Sequence, residues 1–135
     1  MLLADQLSKA WVLQHPQPRP LLPGLLGLRL VHNDGAAFSL FDQGAHWLGW
    51  ISLLVSLGLL VAIIGFRSGW GPWQRQAAGW LLGGTLGNGL DRWRLGSVTD
   101  FLELLPISFP VFNLADVAIN VAVVCLLMHA WRERR

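Results

Sequence analysis

A chain of 135 residues is long enough for one domain and short for two. Apolar residues make up 53 % and charged residues only 13 %, about half the charged share of a soluble domain. A net charge of +2, with no basic patch interleaved with aromatics, excludes a nucleic-acid partner. The single cysteine, Cys125, excludes an internal disulfide, and no zinc-type Cys/His spacing occurs.

The chain opens with Met1–Leu13, which reads as the second half of a membrane helix, too short to span alone. It lacks the basic flank and small-residue cleavage site of a signal peptide. The expectation is a first helix shortened by truncation or a start-site error, and four spans in the intact protein. Residues 15–45 follow as a loop rich in Pro and Gly that turns strand-like at Leu28–His32. His46–Phe66 is an apolar run of bilayer length. After the short Arg67–Arg75 loop, residues 76–91 form a third expected span. There Gly79, Gly83 and Gly87 recur every fourth residue and invite close helix approach. Residues 91–111 form a second connection on the same side as the first, and residues 112–131 form the last expected span. Cys125 lies within it between apolar neighbours, as a packing residue. Eight tryptophans without a tyrosine, several at the ends of these runs, fit interfacial anchoring. Five arginines in the 67–75 loop and the tail, against Arg19, Arg29, Arg92 and Arg94, weakly favour a cytoplasmic location for the former.

Ionisable groups at membrane depth cost several kcal/mol unless they find a partner or a polar cavity, so each is a functional candidate. Asn113, Asp116 and Asn120 are spaced i, i+3, i+7, as are Thr85, Asn88 and Arg92; Asp5 and Lys9 are spaced i, i+4. Three helices thus carry polar stripes that should face one another near the non-cytoplasmic surface. Asp5 has Lys9 to pair with, and Asp91 has Arg92 or Arg94. Asp100 and Asp116 have no cationic neighbour in sequence. Two carboxyls in one low-dielectric pocket share a proton and can do general acid–base work. Thr85 and Asn120 read as structural. None of His15, His32, His46 and His129 reads as catalytic, and Ser39, Ser52 and Ser56 lack a base at suitable spacing. Two other readings stay open: a proton-coupled transporter using Asp100 and Asp116 as a relay, and a non-catalytic membrane assembly factor.

Five blocks then carry a resemblance. Asp5-Gln-Leu-Ser-Lys9, Asn33-Asp-Gly-Ala-Ala-Phe-Ser39, Gly84-Thr-Leu-Gly-Asn88-Gly-Leu-Asp-Arg92, Arg94-Leu-Gly-Ser-Val-Thr-Asp100-Phe101 and Phe112-Asn113-Leu-Ala-Asp116-Val-Ala-Ile119 resemble, in order, the signature blocks of the lipoprotein signal peptidase (signal peptidase II) family. The resemblance implies an all-α membrane protein: a four-helix transmembrane bundle, with its first helix truncated here and a small periplasmic β-like platform, forming a single domain over residues 1–135. It implies an aspartic endopeptidase of the bacterial inner membrane with its site toward the periplasmic face. Asp100 and Asp116 would be catalytic; Asn33, Asn88, Arg92, Asn113, Asp5 and Lys9 would surround the substrate. The implied substrate is a diacylglyceryl-modified prolipoprotein cut before its lipobox cysteine. Membrane lipids are the other implied partners; no metal or organic cofactor and a monomeric state are expected.

Overall fold

The computed structural model describes residues 1–35 and 44–135; Ser39 and the rest of its block beyond Gly35 lie outside them. The elements in order are helix α1 (Leu2–Gln14), strands β1 (Arg19–Leu22) and β2 (Leu26–Asn33), helix α2 (Gly44–Phe66), helix α3 (Pro72–Leu95), strand β3 (Val98–Leu104) and helix α4 (Leu114–Glu133). The molecule is mostly helical, with one small antiparallel sheet ordered β1-β2-β3.

Local chemistry explains the element ends. Pro23 and Gly24 form the β1–β2 turn, closed by Leu25 N–H to Leu22 C=O at 3.0 Å, with Gly24 at φ 73°. A proline followed by a positive-φ glycine is what such a turn requires. Helix α3 begins with Pro72, whose missing N–H costs nothing in the first turn. It ends at Gly96 in the left-handed conformation. It therefore runs several residues beyond both ends of the expected 76–91 span, and Asp91 and Arg92 lie within it. The last helix starts two residues later than expected: Phe112 pairs with β3 and Asn113 caps α4.

Helix α3 is the centre of the packing, touching α1, α2, α4 and β3. Its glycines explain how. A methyl group at Gly83 would sit 2.9 Å from Met1 Cβ, one at Gly87 2.5 Å from Asp5 Oδ2, one at Gly84 2.6 Å from Ala115 O, and one at Gly89 2.9 Å from Ser52 Cβ. Three neighbouring helices thus approach the α3 backbone closely. Gly79, expected to extend the Gly83–Gly87 face, meets nothing within 4 Å. Ser56 and Thr85 hydroxyls bond across the α2–α3 contact at 2.9 Å, which fits the structural reading of Thr85.

Among the described residues two helices are long and apolar enough to cross a membrane, His46–Phe66 with mean hydropathy 2.4 and Leu114–Glu133 with 1.8. Only 11 % and 22 % of their apolar windows are buried. Their hydrophobic side chains face outward, unlike those of a soluble core. Helix α3 falls short of that apolarity because of its glycines and polar side chains.

The sheet sits over the ends of α1 and α4. Val12, Leu28, Phe101 and Leu102 form a small core, with Phe112 and Leu114 packed against it. The Leu28–His32 stretch is β-structure as expected; β1 and β3 were not foreseen. A second cluster of Ala77, Ala122 and Cys125 joins α3 to α4, so Cys125 packs as expected.

Candidate active site

Two local devices bring Asp100 and Asp116 together. Asp100 lies on β3, two residues before Leu102. Leu102 exchanges two backbone hydrogen bonds with Phe112, at 2.8 and 3.0 Å, just ahead of the α4 cap. That bridge ties the start of α4 to the strand carrying Asp100. At the start of the helix, Asn113 Oδ1 accepts from Asp116 N–H at 3.0 Å while Asp116 Oδ2 accepts from Asn113 N–H at 3.0 Å. This reciprocal cap satisfies two backbone donors that a helix start otherwise leaves open. It also fixes the Asp116 rotamer and leaves Oδ1 for another partner.

All four oxygens of the two carboxylates receive an N–H. Asp100 Oδ1 accepts from Asn113 Nδ2 at 2.7 Å and Oδ2 from Asn33 Nδ2 at 2.9 Å. Asp116 Oδ1 accepts from Asn88 Nδ2 at 2.8 Å and Oδ2 from the Asn113 backbone. Asn33 reaches Asp100 from the neighbouring strand, where Val31 pairs with Asp100 and Asn33 with Val98. Asp100 is 2 % exposed. Burial pushes its carboxyl above the ordinary range; the Asn33 hydrogen bond opposes this, the Asp116 charge adds to it, and Asn113 and Lys9 oppose it.

Beside the two aspartates lies a charged cluster. Lys9 Nζ contacts Asp5 Oδ2 at 2.9 Å, Asp91 Oδ2 at 3.1 Å and Asn88 Oδ1 at 3.0 Å. The expected Asp5–Lys9 pair is present. The expected Asp91 pairing with Arg92 or Arg94 is not: Lys9 takes that place. Asp91 points into the packing against α1 while Arg92 follows about 100° round the helix and Arg94 is exposed. Asp91 Oδ2 also accepts from Thr99 N–H at 2.9 Å, joining α3 to β3. Asp5 Oδ1 accepts from Ala115 N–H at 2.9 Å, joining α1 to α4. Gln6, a residue that no spacing argument singled out, bonds Asp5 Oδ2, Gly87 O and Asp91 Oδ1 at 3.1–3.2 Å. Its only signal was its place between Asp5 and Lys9.

Arg92 forms no ion pair among the described residues, and its Nε is buried without a hydrogen-bond partner there. Its charge is attracted by Asp116, Asp100 and Asp91. Asn120 is exposed and bonds the Asp116 carbonyl. His15 stacks on Trp11, and His129 contacts Glu133 at the far end of α4. No group of three His, Cys, Asp or Glu suited to hold a metal ion occurs among the described residues.

Asp100, Asp116 and Asn33 line one cavity of about 860 Å³. It continues along the α4 face of Val117, Val121 and Val124 to Trp73. The site is polar at one end and apolar along the rest.

The signal peptidase (SPase) II family model matches residues 1–132. The lipoprotein signal peptidase of Synechococcus sp. (strain RCC307) is 63 % identical over 137 residues, covering 99 % of this chain and 91 % of that protein. Its counterpart in Parasynechococcus marenigrum (strain WH8102) is 53 % identical, covering 99 % and 80 %. Two solved structures, each described as a bacterial membrane enzyme determined by the in meso method, share the fold. One has a TM-score of 0.84 at 22 % identity, covering 98 % of this chain and 84 % of its own. The other has a TM-score of 0.85 at 23 % identity, covering 96 % and 86 %. The five ordered blocks, the polar site they build and the match over nearly the whole length lead to one assignment: the chain belongs to the signal peptidase II family.

Proposed function

We propose that this protein is an aspartic endopeptidase that removes the signal peptide from diacylglyceryl-modified prolipoproteins, cutting before the lipidated cysteine, with Asp100 and Asp116 as its catalytic pair. The observation that carries this reading is the pairing itself. Two carboxyls share Asn113 as a hydrogen-bond donor and line one cavity, and every carboxylate oxygen already holds one N–H. Such a pair holds one proton between its members.

In the proposed reaction the ionised carboxylate takes a proton from water as its oxygen attacks the scissile carbonyl. The protonated carboxyl gives its proton to the carbonyl oxygen, and a gem-diol forms. Collapse of the gem-diol breaks the C–N bond. The amine leaves with one proton, the new carboxyl group keeps the water oxygen, and the pair returns to its single shared proton. Asn33, Asn88 and Asn113 hold the carboxyls in place, and Arg92, whose buried Nε has no partner among the described residues, faces the substrate backbone. The apolar face of α4 receives the hydrophobic stretch of the signal peptide, so that diffusion in the bilayer becomes positioning. Asp5 and Lys9 support this site from α1.

The same reading makes residues 1–135 one membrane-embedded domain. Its four helices form a multi-pass bundle in the inner membrane, monomeric among lipids, with α2, α3 and α4 as spans and α1 packed beside them. The sheet then lies at the periplasmic surface beside the site. The proton-relay alternative calls for acids at the bilayer midplane. Asp116 instead sits in the first turn of its helix and Asp100 on a strand.

In proteoliposomes, the parent is expected to cleave a diacylglyceryl-modified peptide, while Asp100→Asn and Asp116→Asn insert normally and lose cleavage by about 10⁴-fold, the scale of an essential acid–base group. Near-normal turnover by either variant would overturn the assignment.

A further inference from the structure

The cavity that holds the two aspartates at one end is closed at the other by a tryptophan. Its wall on α4 is the stripe Val117, Asn120, Val121 and Val124, which ends at Cys125 opposite Trp73 of α3. These α4 positions share one helix face. From Asp116 to Cys125 the helix rises roughly 14 Å, at about 1.5 Å per residue. That is about half the thickness of a bilayer's hydrocarbon core. A neighbouring cavity lined by Leu59, Trp70 and Leu126 shares no wall residue with this one and does not extend it.

Two contacts fix the Trp73 ring. It packs against the cluster of Ala77, Ala122 and Cys125, and the Arg132 guanidinium lies over it, 5.4 Å from the ring centre. That distance is within reach of a cation–π contact. Arg132 stands about three turns beyond Val121 on the same face of α4, yet it is not part of the cavity wall. The guanidinium therefore covers the ring from the side away from the aspartates, and the half-buried ring turns its remaining surface to the cavity.

The apolar stretch of a signal peptide runs about 7 to 15 residues and follows a basic segment. With the cut bond at the aspartates, the stretch reaches toward Trp73. A fully helical segment covers roughly 14 Å with about nine residues. If the three residues next to the bond are extended, at about 3.3 Å each, about six suffice.

We propose that Trp73 is a specificity-determining residue: pinned by Arg132, it forms the floor of the substrate groove and limits the bulk of the side chain carried roughly six to nine residues before the cut bond. This rests on the signal-peptidase reading and deepens it by naming what the site selects in the apolar stretch.

The test uses diacylglyceryl-modified peptides with an alanine–leucine stretch, through which one tryptophan is walked a position at a time. For each enzyme, kcat/KM is divided by its own value on the tryptophan-free peptide. The parent should show a drop of about 10-fold or more at the register of the floor, the scale of one overpacked side chain. Trp73→Ala should flatten that drop to less than about threefold, and Trp73→Phe should keep part of it. Trp73→Leu, which retains apolar contact with Ala122 and Cys125, serves where the alanine variant folds poorly. Separately, in Asp116→Asn/Val124→Cys/Cys125→Ala protein, a single cysteine is walked through the same peptide under copper–phenanthroline oxidation. Its disulfide to Val124→Cys should form within one turn of the same register. A drop that survives in both Trp73→Ala and Trp73→Leu, a parent profile without a drop, or disulfides absent or spread evenly along the peptide would overturn the floor. Cleavage by Asp116→Asn is the separate arm. Turnover there would fell the peptidase reading, whereas its loss beside a flat walk would fell only the floor.

Discussion

Replacing Gly87 by alanine adds one methyl group where the α3 backbone lies against the Asp5 carboxylate. The new Cβ would stand 2.5 Å from Asp5 Oδ2, 3.1 Å from Asp5 Cγ and 3.2 Å from Ala115 Cβ. That is about 0.9 Å short of ordinary contact, which begins at 3.4 Å. Asp5 has little freedom to yield, since its oxygens hold Lys9 Nζ, Gln6 Nε2 and Ala115 N–H and its residue is 0 % exposed. Helix α1 must move, and with it the Lys9 cluster. Overpacking costs about 1–3 kcal/mol, and loosening a buried ion pair adds to it, so about 3–5 kcal/mol is expected in total. Gly79→Ala, two turns earlier on the same helix, meets open space and should gain about 0.5–1 kcal/mol from reduced backbone entropy. Thermal unfolding in detergent, read from the eight tryptophans, should place Gly87→Ala about 10 °C or more below the parent and Gly79→Ala level with it or above. Cleavage activity should be lost only in the former. Equal melting of the two variants, in either direction, would refute the claim that α1 is seated directly on the α3 backbone.

Other consequences follow from the same contacts. The Asp100 carboxyl is raised above its ordinary value of 3.8, mainly by burial, so the unfolded chain releases this proton first as pH rises. Asp100 therefore lowers stability progressively between 3.8 and its folded value, and Asp100→Asn removes that loss. The melting advantage of Asp100→Asn over the parent should grow from pH 4 to pH 7; an advantage that shrinks over that window would contradict the burial account. Thr85→Val removes the 2.9 Å hydroxyl contact with Ser56, which keeps its bond to Ser52 O. About 1 kcal/mol of stability should be lost while kcat stays within about twofold, and a large kcat loss would show that Thr85 does more than join α2 to α3.

Much of the site was legible because helical spacing is local. Asp5 and Lys9 at i, i+4 meet whatever else the chain does. The polar stripes on three helices likewise predicted a shared pocket, and Asn88, Asp116 and Asn113 are in contact there. Strand β3 was missed: its residues are buried on both faces from Val98 to Leu102, so its sequence shows no in–out alternation. Asn113 was read as a helix residue and is a cap. The Asn at Ncap with an acid three positions on was a visible signal for it, masked by the apolar run around it.

The sequence by itself determined which side chains carry polarity into an apolar chain, and the family to which its ordered blocks belong. It also identified the two carboxyls without a cationic neighbour. Only the tertiary structure decided that Asp91 turns to Lys9 instead of an adjacent arginine, and that the Phe112–Leu102 bridge sets Asp116 beside Asp100. It also decided which way the asparagine amides face. Periodicity along a helix follows from 3.6 residues per turn, but partners between elements depend on how closely backbones approach, and here glycines on α3 set that distance.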